Sequence, residues 1–272
     1  MNFRPKKPFL LSACLGLSLL PSPGDAASVY INTPARMGTN MTPVAGIKLR
    51  ASTTNWDQSL DAGGGTNAGN FIQKELTNSF NGIGNDYHFT FEHRAGEGFI
   101  FKVTPTGQAD STLAWGNFTG GVPSGATVVS TINGRTPLTP FNALNIEARS
   151  QRPGSSLKFS QLLFTSPGMS VVEGSFFGAT VTQNTVIGTS PAGTAFQSLV
   201  ADTSLSLYNW TLSGDISIKR TPGSGGDESV KFTVDALQTT FLTPVPEPGS
   251  ALLSLTGLAL LTCRKRRSTD AV

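Results

Sequence analysis

Between residues 86 and 104 apolar and polar side chains alternate one for one. Tyr87, Phe89 and Phe91 interleave with His88, Thr90 and Glu92, and after a turn Phe99, Phe101 and Val103 repeat the pattern. A period of two marks a strand with one face in a core. Two such aromatic sets must share that face, so the segment reads as a hairpin with Phe91 opposite Phe99, Phe89 opposite Phe101 and Tyr87 opposite Val103. That register leaves Arg94-Ala95-Gly96 as a three-residue loop, with Gly96 where a left-handed residue is needed, and sets His93 across from Glu97.

Strand patterns recur at Thr127–Ile132, Leu144–Arg149, Leu157–Phe164, Val171–Val181, Phe196–Val200 and Leu205–Leu212. A last pair, Asp215–Lys219 and Val230–Val234, flanks a Pro, Gly and Ser loop at residues 222–226. Helical spacing shows only weakly, from Asn70 to Phe80, where Phe71, Leu76 and Phe80 fall on one face. Many short strands between Gly, Pro, Asn and Ser predict an all-β chain, a β-sandwich and jelly-roll-like. No internal repeat or linker divides residues 27–243, which read as one extracellular domain.

Composition fits that picture. Only 14% of the 272 residues are charged, against about 25% in an ordinary soluble domain. The formal charge of +3 would invite a nucleic-acid partner, but its source is the two ends. Arg4, Lys6 and Lys7 stand at one, and Arg264, Lys265, Arg266 and Arg267 at the other. Between Ser28 and Pro244 there are 13 basic and 14 acidic residues, so nucleic acid is not an expected partner. Cys14 and Cys263 also lie in the ends. A body without cysteine excludes a thiol nucleophile, a thiolate zinc site and an iron–sulfur cluster there, and about 217 residues bury enough apolar surface to fold without disulfides.

Residues 1–26 have the parts of a secretory signal: a basic start, an apolar run from Phe9 to Leu20, breakers Pro21 and Pro23, then small residues. Gly24 and Ala26 occupy the small positions before a cut after Ala26, with Ala27 the second choice. Leu11-Ser12-Ala13-Cys14 also matches a short lipobox, but the apolar run continues past Cys14 to Leu20, and the stretch before it is short for a signal core.

At the other end, residues 244–272 hold Val245-Pro246-Glu247-Pro248, an apolar stretch from Gly249 to Cys263 and the basic cluster Arg264, Lys265, Arg266 and Arg267. This three-part order resembles the PEP-CTERM sorting signal of Gram-negative bacteria. The resemblance implies an exosortase-type membrane protease acting at Pro246-Glu247-Pro248. As a helix the apolar stretch would be about 22 Å long, short of the roughly 30 Å hydrocarbon core, so it predicts a C-terminal helix that anchors transiently. Positive charge beside both apolar ends predicts that both stay cytoplasmic while the body crosses through the Sec translocon.

A second resemblance lies in the body. Asn85-Asp86-Tyr87, Phe89-Thr90-Phe91, His93, Gly96-Glu97-Gly98-Phe99, Phe141-Asn142-Ala143-Leu144, Ile146-Glu147-Ala148 and Asn209-Trp210-Thr211-Leu212-Ser213-Gly214 together are similar to the choice-of-anchor extracellular domains, W type. That family implies surface location and fold, not an activity.

Candidate chemistry is sparse. His88 and His93 project to opposite faces of a strand and cannot readily share a metal. His93 with Glu97 could form a general base with its orienting carboxylate, but no nucleophile stands nearby. Asp57 with Asp61, or Glu147 with Glu173, are the carboxylate pairs a glycosidase would need. The run Asp61–Asn70 is rich in oxygen donors but lacks a calcium-ligand spacing, and Asp227-Glu228 reads as a solvated turn. Trp210, among leucines, reads as core, whereas Trp56 and Trp115 sit among polar residues and are candidate sugar contacts. No cofactor, metal or catalytic motif is indicated. The expectation is therefore an exported, non-catalytic surface protein, structural or adhesive in an exopolysaccharide matrix. The alternative is a polysaccharide-binding module or polysaccharide-acting enzyme.

Overall fold

The computed structural model describes residues 27–51, 56–63, 70–76, 85–107, 109–150, 154–182, 193–219 and 230–242. Their strands are β1 (Ala27–Ile31), β2 (Thr42–Ala51), β3 (Trp56–Asp61), β4 (Phe71–Leu76), β5 (Asn85–Arg94), β6 (Gly98–Pro105), β7 (Ser111–Gly116) and β8 (Thr127–Val129). They continue with β9 (Ala143–Ser150), β10 (Ser156–Thr165), β11 (Met169–Glu173), β12 (Ala179–Thr182), β13 (Gly193–Ala201), β14 (Trp210–Lys219) and β15 (Val230–Gln238).

One sheet has the order β11-β1-β13-β9-β15-β2-β3-β4, the other β12-β10-β14-β5-β6-β7-β8. Most neighbours are antiparallel; β1 with β11 and β7 with β8 are parallel. The described residues are nearly all β, in a sandwich-like arrangement. The chain first fills each sheet with consecutive strands, β2 to β4 in one and β5 to β8 in the other. From β9 to β15 it changes sheet with every strand.

Alternation puts one face of each strand into a shared core. Along β14, Trp210, Leu212, Gly214, Ile216 and Ile218 are buried while the residues between them are not. Phe89 of the second sheet meets Phe232 of the first at 4.9 Å between ring centroids, and Phe159 meets the same ring at 6.2 Å. Interdigitation of this kind joins the two inner faces.

The aromatic hairpin forms, but two residues out of the predicted register. Phe91 pairs with Phe101, Phe89 with Val103 and His93 with Phe99. The cause lies in the next strand. Gly98 faces Gly116 across β6 and β7, both with positive φ (143° and 145°), and a Cβ on either would strike the facing strand's backbone. This close approach draws Gly98 into the ladder opposite Arg94. The turn therefore becomes Ala95-Gly96-Glu97, closed by Glu97 N–H donating to Arg94 O at 2.9 Å, with Gly96 at φ 75°. A shift of two keeps every side chain on its face. Phe91 still stacks on Phe99, now diagonally, at 5.5 Å.

Three other readings change. The helical spacing at Asn70–Phe80 is a strand over Phe71–Leu76, because full pairing with β3 outweighs a weak local period. The single strand expected over Val171–Val181 is two, β11 and β12, in different sheets. Gly174, at φ 80°, turns the chain between them where a Cβ would collide with Ile31 O. Leu205–Leu207 is a short 3-10 turn, and one strand from Trp210 runs through Gly214 to Lys219. Its partner in the expected last pair, β15, lies in the other sheet.

Candidate functional site

The two histidines part as alternation requires. His88 is exposed on the outer face, its Nδ1 2.8 Å from Asp215 Oδ1. His93 points inward and is buried. Its ring stacks on Trp210 at 5.7 Å, lies 4.9 Å from Phe99 and meets Phe141 edge-on at 5.4 Å. Nδ1 is 2.9 Å from Tyr208 O, which assigns it the proton of the neutral ring. Desolvation in this aromatic box lowers the His93 pKa to about 4, against the smaller upward pull of the Tyr208 carbonyl. Glu97 does not orient it. Its carboxylate accepts from the Thr119 hydroxyl and backbone N–H, which hold it below the usual range. The shifted register is what separates the pair.

Among the tryptophans, Trp115 is corrected: it is buried opposite Phe99, its indole N–H donating to Arg135 O at 3.3 Å. It occupies an inward position of β7, a strand buried along its whole length, with polar Asn117 in the loop beyond. It cannot stack on a sugar. Trp210 is core, as its leucine neighbours predict. Trp56 opens β3, and its side chain lies outside the described residues.

Neither predicted carboxylate pair forms as such. Asp57 is engaged by Arg50 at 2.9 Å and by Gln73 at 2.5 Å. Glu173 pairs with Arg36 at 2.6 Å, on the opposite edge of the sheet from β3 and well away from Glu147. A pairing the sequence did not show arises instead. On the outer face of the first sheet, Asp235, Gly46 and Asp61 stand side by side on β15, β2 and β3. A Cβ on Gly46 would lie 2.8 Å from Asp235 Oδ1 and 2.9 Å from Asp61 Oδ2. Both carboxylates thus lean over the space that glycine leaves. Burial raises both pKa values, that of Asp235 to about 6, with Asp61 and Glu147 adding like charge and Lys231 and Lys48 opposing. Asp61 is 6% exposed and accepts from Gly63 N–H at 2.9 Å, whereas Asp235 is half-buried, so only one of the two carboxylates is covered. Among the described residues no group of three or more His, Asp or Glu is arranged to hold a metal ion.

Two of the open depressions among the described residues bear on function. One, of about 640 Å³, lies on the outer face of the second sheet around His88, Asp215 and Lys158. The other, of about 540 Å³, lies on the first sheet and is lined by Phe177, Phe196, Met37, Met41, Asn145 and their neighbours. Phe177, Phe196 and Met41 are 55%, 58% and 50% exposed. Sequence patterning does not reveal this groove. Its one local signal is the adjacent pair Phe176-Phe177 between Gly174 and Gly178, too apolar for an ordinary turn.

The groove is rigidly built. Gln197, buried, accepts from Phe177 N–H at 3.0 Å and donates to Phe177 O at 2.5 Å. Asn32, at φ 53°, donates to Ser175 O at 2.8 Å and accepts from Ser198 N–H at 3.0 Å. Two side-chain amides thereby tie the β11–β12 connection to β13.

No family model matches the chain, and no curated protein matches it in sequence. The sorting residues Val245, Pro246, Glu247 and Pro248, the basic cluster Arg264 to Arg267 and the first cleavage residue Ala26 lie outside the described residues, as do Asp227-Glu228, much of the Asp61–Asn70 run and the expected C-terminal helix. Ala27 opens β1, paired with Met169.

Proposed function

We propose that the chain is an exported surface or extracellular-matrix protein, released by an exosortase-type protease and structural or adhesive in an exopolysaccharide matrix. The observation that carries this reading is the order Val245-Pro246-Glu247-Pro248, apolar stretch, Arg264-Lys265-Arg266-Arg267. The nearly all-β, sandwich-like fold of the described residues is compatible with it. In this reading Sec exports the chain, the membrane holds it transiently, and its sandwich is jelly-roll-like, as the sheet-to-sheet alternation of β9 to β15 fits. Its similarity to choice-of-anchor domains belongs to the same proposal.

Mass spectrometry of the mature protein from each cell fraction tests it. The expected product lacks residues 249–272, and replacing Pro246, Glu247 and Pro248 by alanine traps the precursor in the inner membrane. An intact tail in the steady-state product, or unchanged export of the variant, overturns it.

A second reading, a polysaccharide-binding module, is favoured by the Phe177–Phe196 groove. The Asp61–Asp235 pair supports an enzyme less well, because Asp61 is covered and the two carboxylates line neither depression.

A further inference from the structure

We infer that the groove between Phe177 and Phe196 is a binding site for an uncharged glycan chain. This deepens the polysaccharide-binding reading and rests on it. Four features of the site converge on that ligand.

First, the aromatic exposure is local. The cross-strand row that contains Phe196 continues as Glu147, Thr233 and Lys48, a polar face in which a phenyl ring more than half exposed has no packing role. Second, the rings are mixed with neutral polar groups. Asn145, Ser198 and Thr39 stand beside them, and the lining contains no ionisable side chain. A sugar ring presents apolar C–H faces and a rim of hydroxyls, and this combination of phenyl face, amide and hydroxyl matches both. The lack of charge disfavours acidic polymers and anionic lipid surfaces, each of which calls for Lys or Arg.

Third, the site is pre-organised. Gln197 clamps the backbone of Phe177 on both its N–H and its C=O, and Asn32 fixes the same connection from the other side. A ring held in place loses little freedom on stacking, so more of the contact energy appears as affinity. Fourth, the depression is open rather than enclosed, which admits a segment of a long polymer.

Native electrophoresis of the full chain in zwitterionic detergent, through gels containing dextran, laminarin or xylan as neutral polymers and alginate as an acidic one, tests the inference. Retardation by at least one neutral polymer is expected, unchanged by salt. Phe177→Ala with Phe196→Ala should weaken it about tenfold or more, whereas His88→Ala, on the other sheet, should not. Both phenylalanines are exposed, so the variant keeps its fold, which near-ultraviolet circular dichroism of Trp115 and Trp210 verifies. Retardation by alginate alone, by no polymer, or equally in the double variant overturns the inference. So does self-association that the double variant abolishes, which would assign the face to a second copy. Tail processing is read separately by mass, so failure here leaves the export proposal standing.

Discussion

His93 and Asp235 are both titratable and drawn away from water, His93 buried and Asp235 half-buried, yet they stand on opposite sides of a sheet face. His93 lies in the core between the sheets, boxed by Trp210, Phe99 and Phe141. Asp235 lies on the outer face of the first sheet, beside Asp61 over Gly46. Burial disfavours the charged form of each, but the charged form of one is the protonated state and of the other the deprotonated state. The same physical cost therefore gives opposite responses to acid. Around His93 the desolvating groups are close-packed aromatic rings; around Asp235 burial is joined by like charges crowded on a polar face.

Removing the box itself should have the largest effect. Trp210 contacts His93, Phe91, Phe141 and Phe164, so Trp210→Ala opens a cavity at the meeting point of the two sheets. A loss of about 3–5 kcal/mol is expected, measured by urea unfolding. A loss below about 1 kcal/mol would mean that the cluster packs loosely and that the low pKa of His93 has another origin.

Next comes the acid limb. The folded pKa of His93 is lowered to about 4, against about 6.5 in the unfolded chain. Between these values the unfolded state binds more protons, so stability present above pH 6.5 is lost as pH falls towards 4. The span corresponds to about 3 kcal/mol. His93→Phe should abolish that loss, seen in unfolding curves at pH 7 and 4.5. An unchanged acid slope in this variant would place the sensitive group elsewhere.

Asp235 works the other way. Its folded pKa is raised to about 6, above the ordinary value, so the folded state takes up the proton first. Its contribution is favourable at low pH and is lost as pH rises through 6. Asp235→Asn should therefore stabilise the protein at pH 7 by about 2 kcal/mol and leave the His93 slope uncompensated. Gly46→Ala probes the same pair from the backbone, since its methyl would press on both carboxylates. A destabilisation smaller in an Asp235→Ala background, where the overlapping carboxylate is gone, would confirm the shared space.

How far these sites could be read from sequence follows from how local their causes are. The β5–β6 hairpin and its inward face are written in alternation within twenty residues. Its register was not, because Gly98 is paired by Gly116 on β7, a strand that alternation did not reveal. Trp115 misled for a related reason: polar neighbours in sequence say little about a residue whose side chain faces the opposite sheet. The Asp61–Asp235 pair requires β15, β2 and β3 to lie side by side, and no short segment encodes that order. From β9 onward the chain crosses repeatedly between sheets, so its nearest sequence neighbours are seldom its hydrogen-bonding neighbours. The groove of Phe177 and Phe196 depends on the same crossing, with Gln197 reaching the β11–β12 connection.

The smallest effect isolates burial as the cause of the larger ones. His88 and Asp215 bring the same two residue types together, at 2.8 Å, but with side chains 49% and 41% exposed. Water solvates both charged forms there, and salt screens what remains of their attraction. His88→Ala should accordingly cost less than about 1 kcal/mol at pH 6, and the cost should shrink further in high salt. Measured beside His93→Phe in the same unfolding series, it separates the chemistry of the residue from its setting. A cost for His88→Ala that equals that of His93 protonation would break the comparison, because the acid response would then come mainly from an exposed ion pair and not from desolvation in the core.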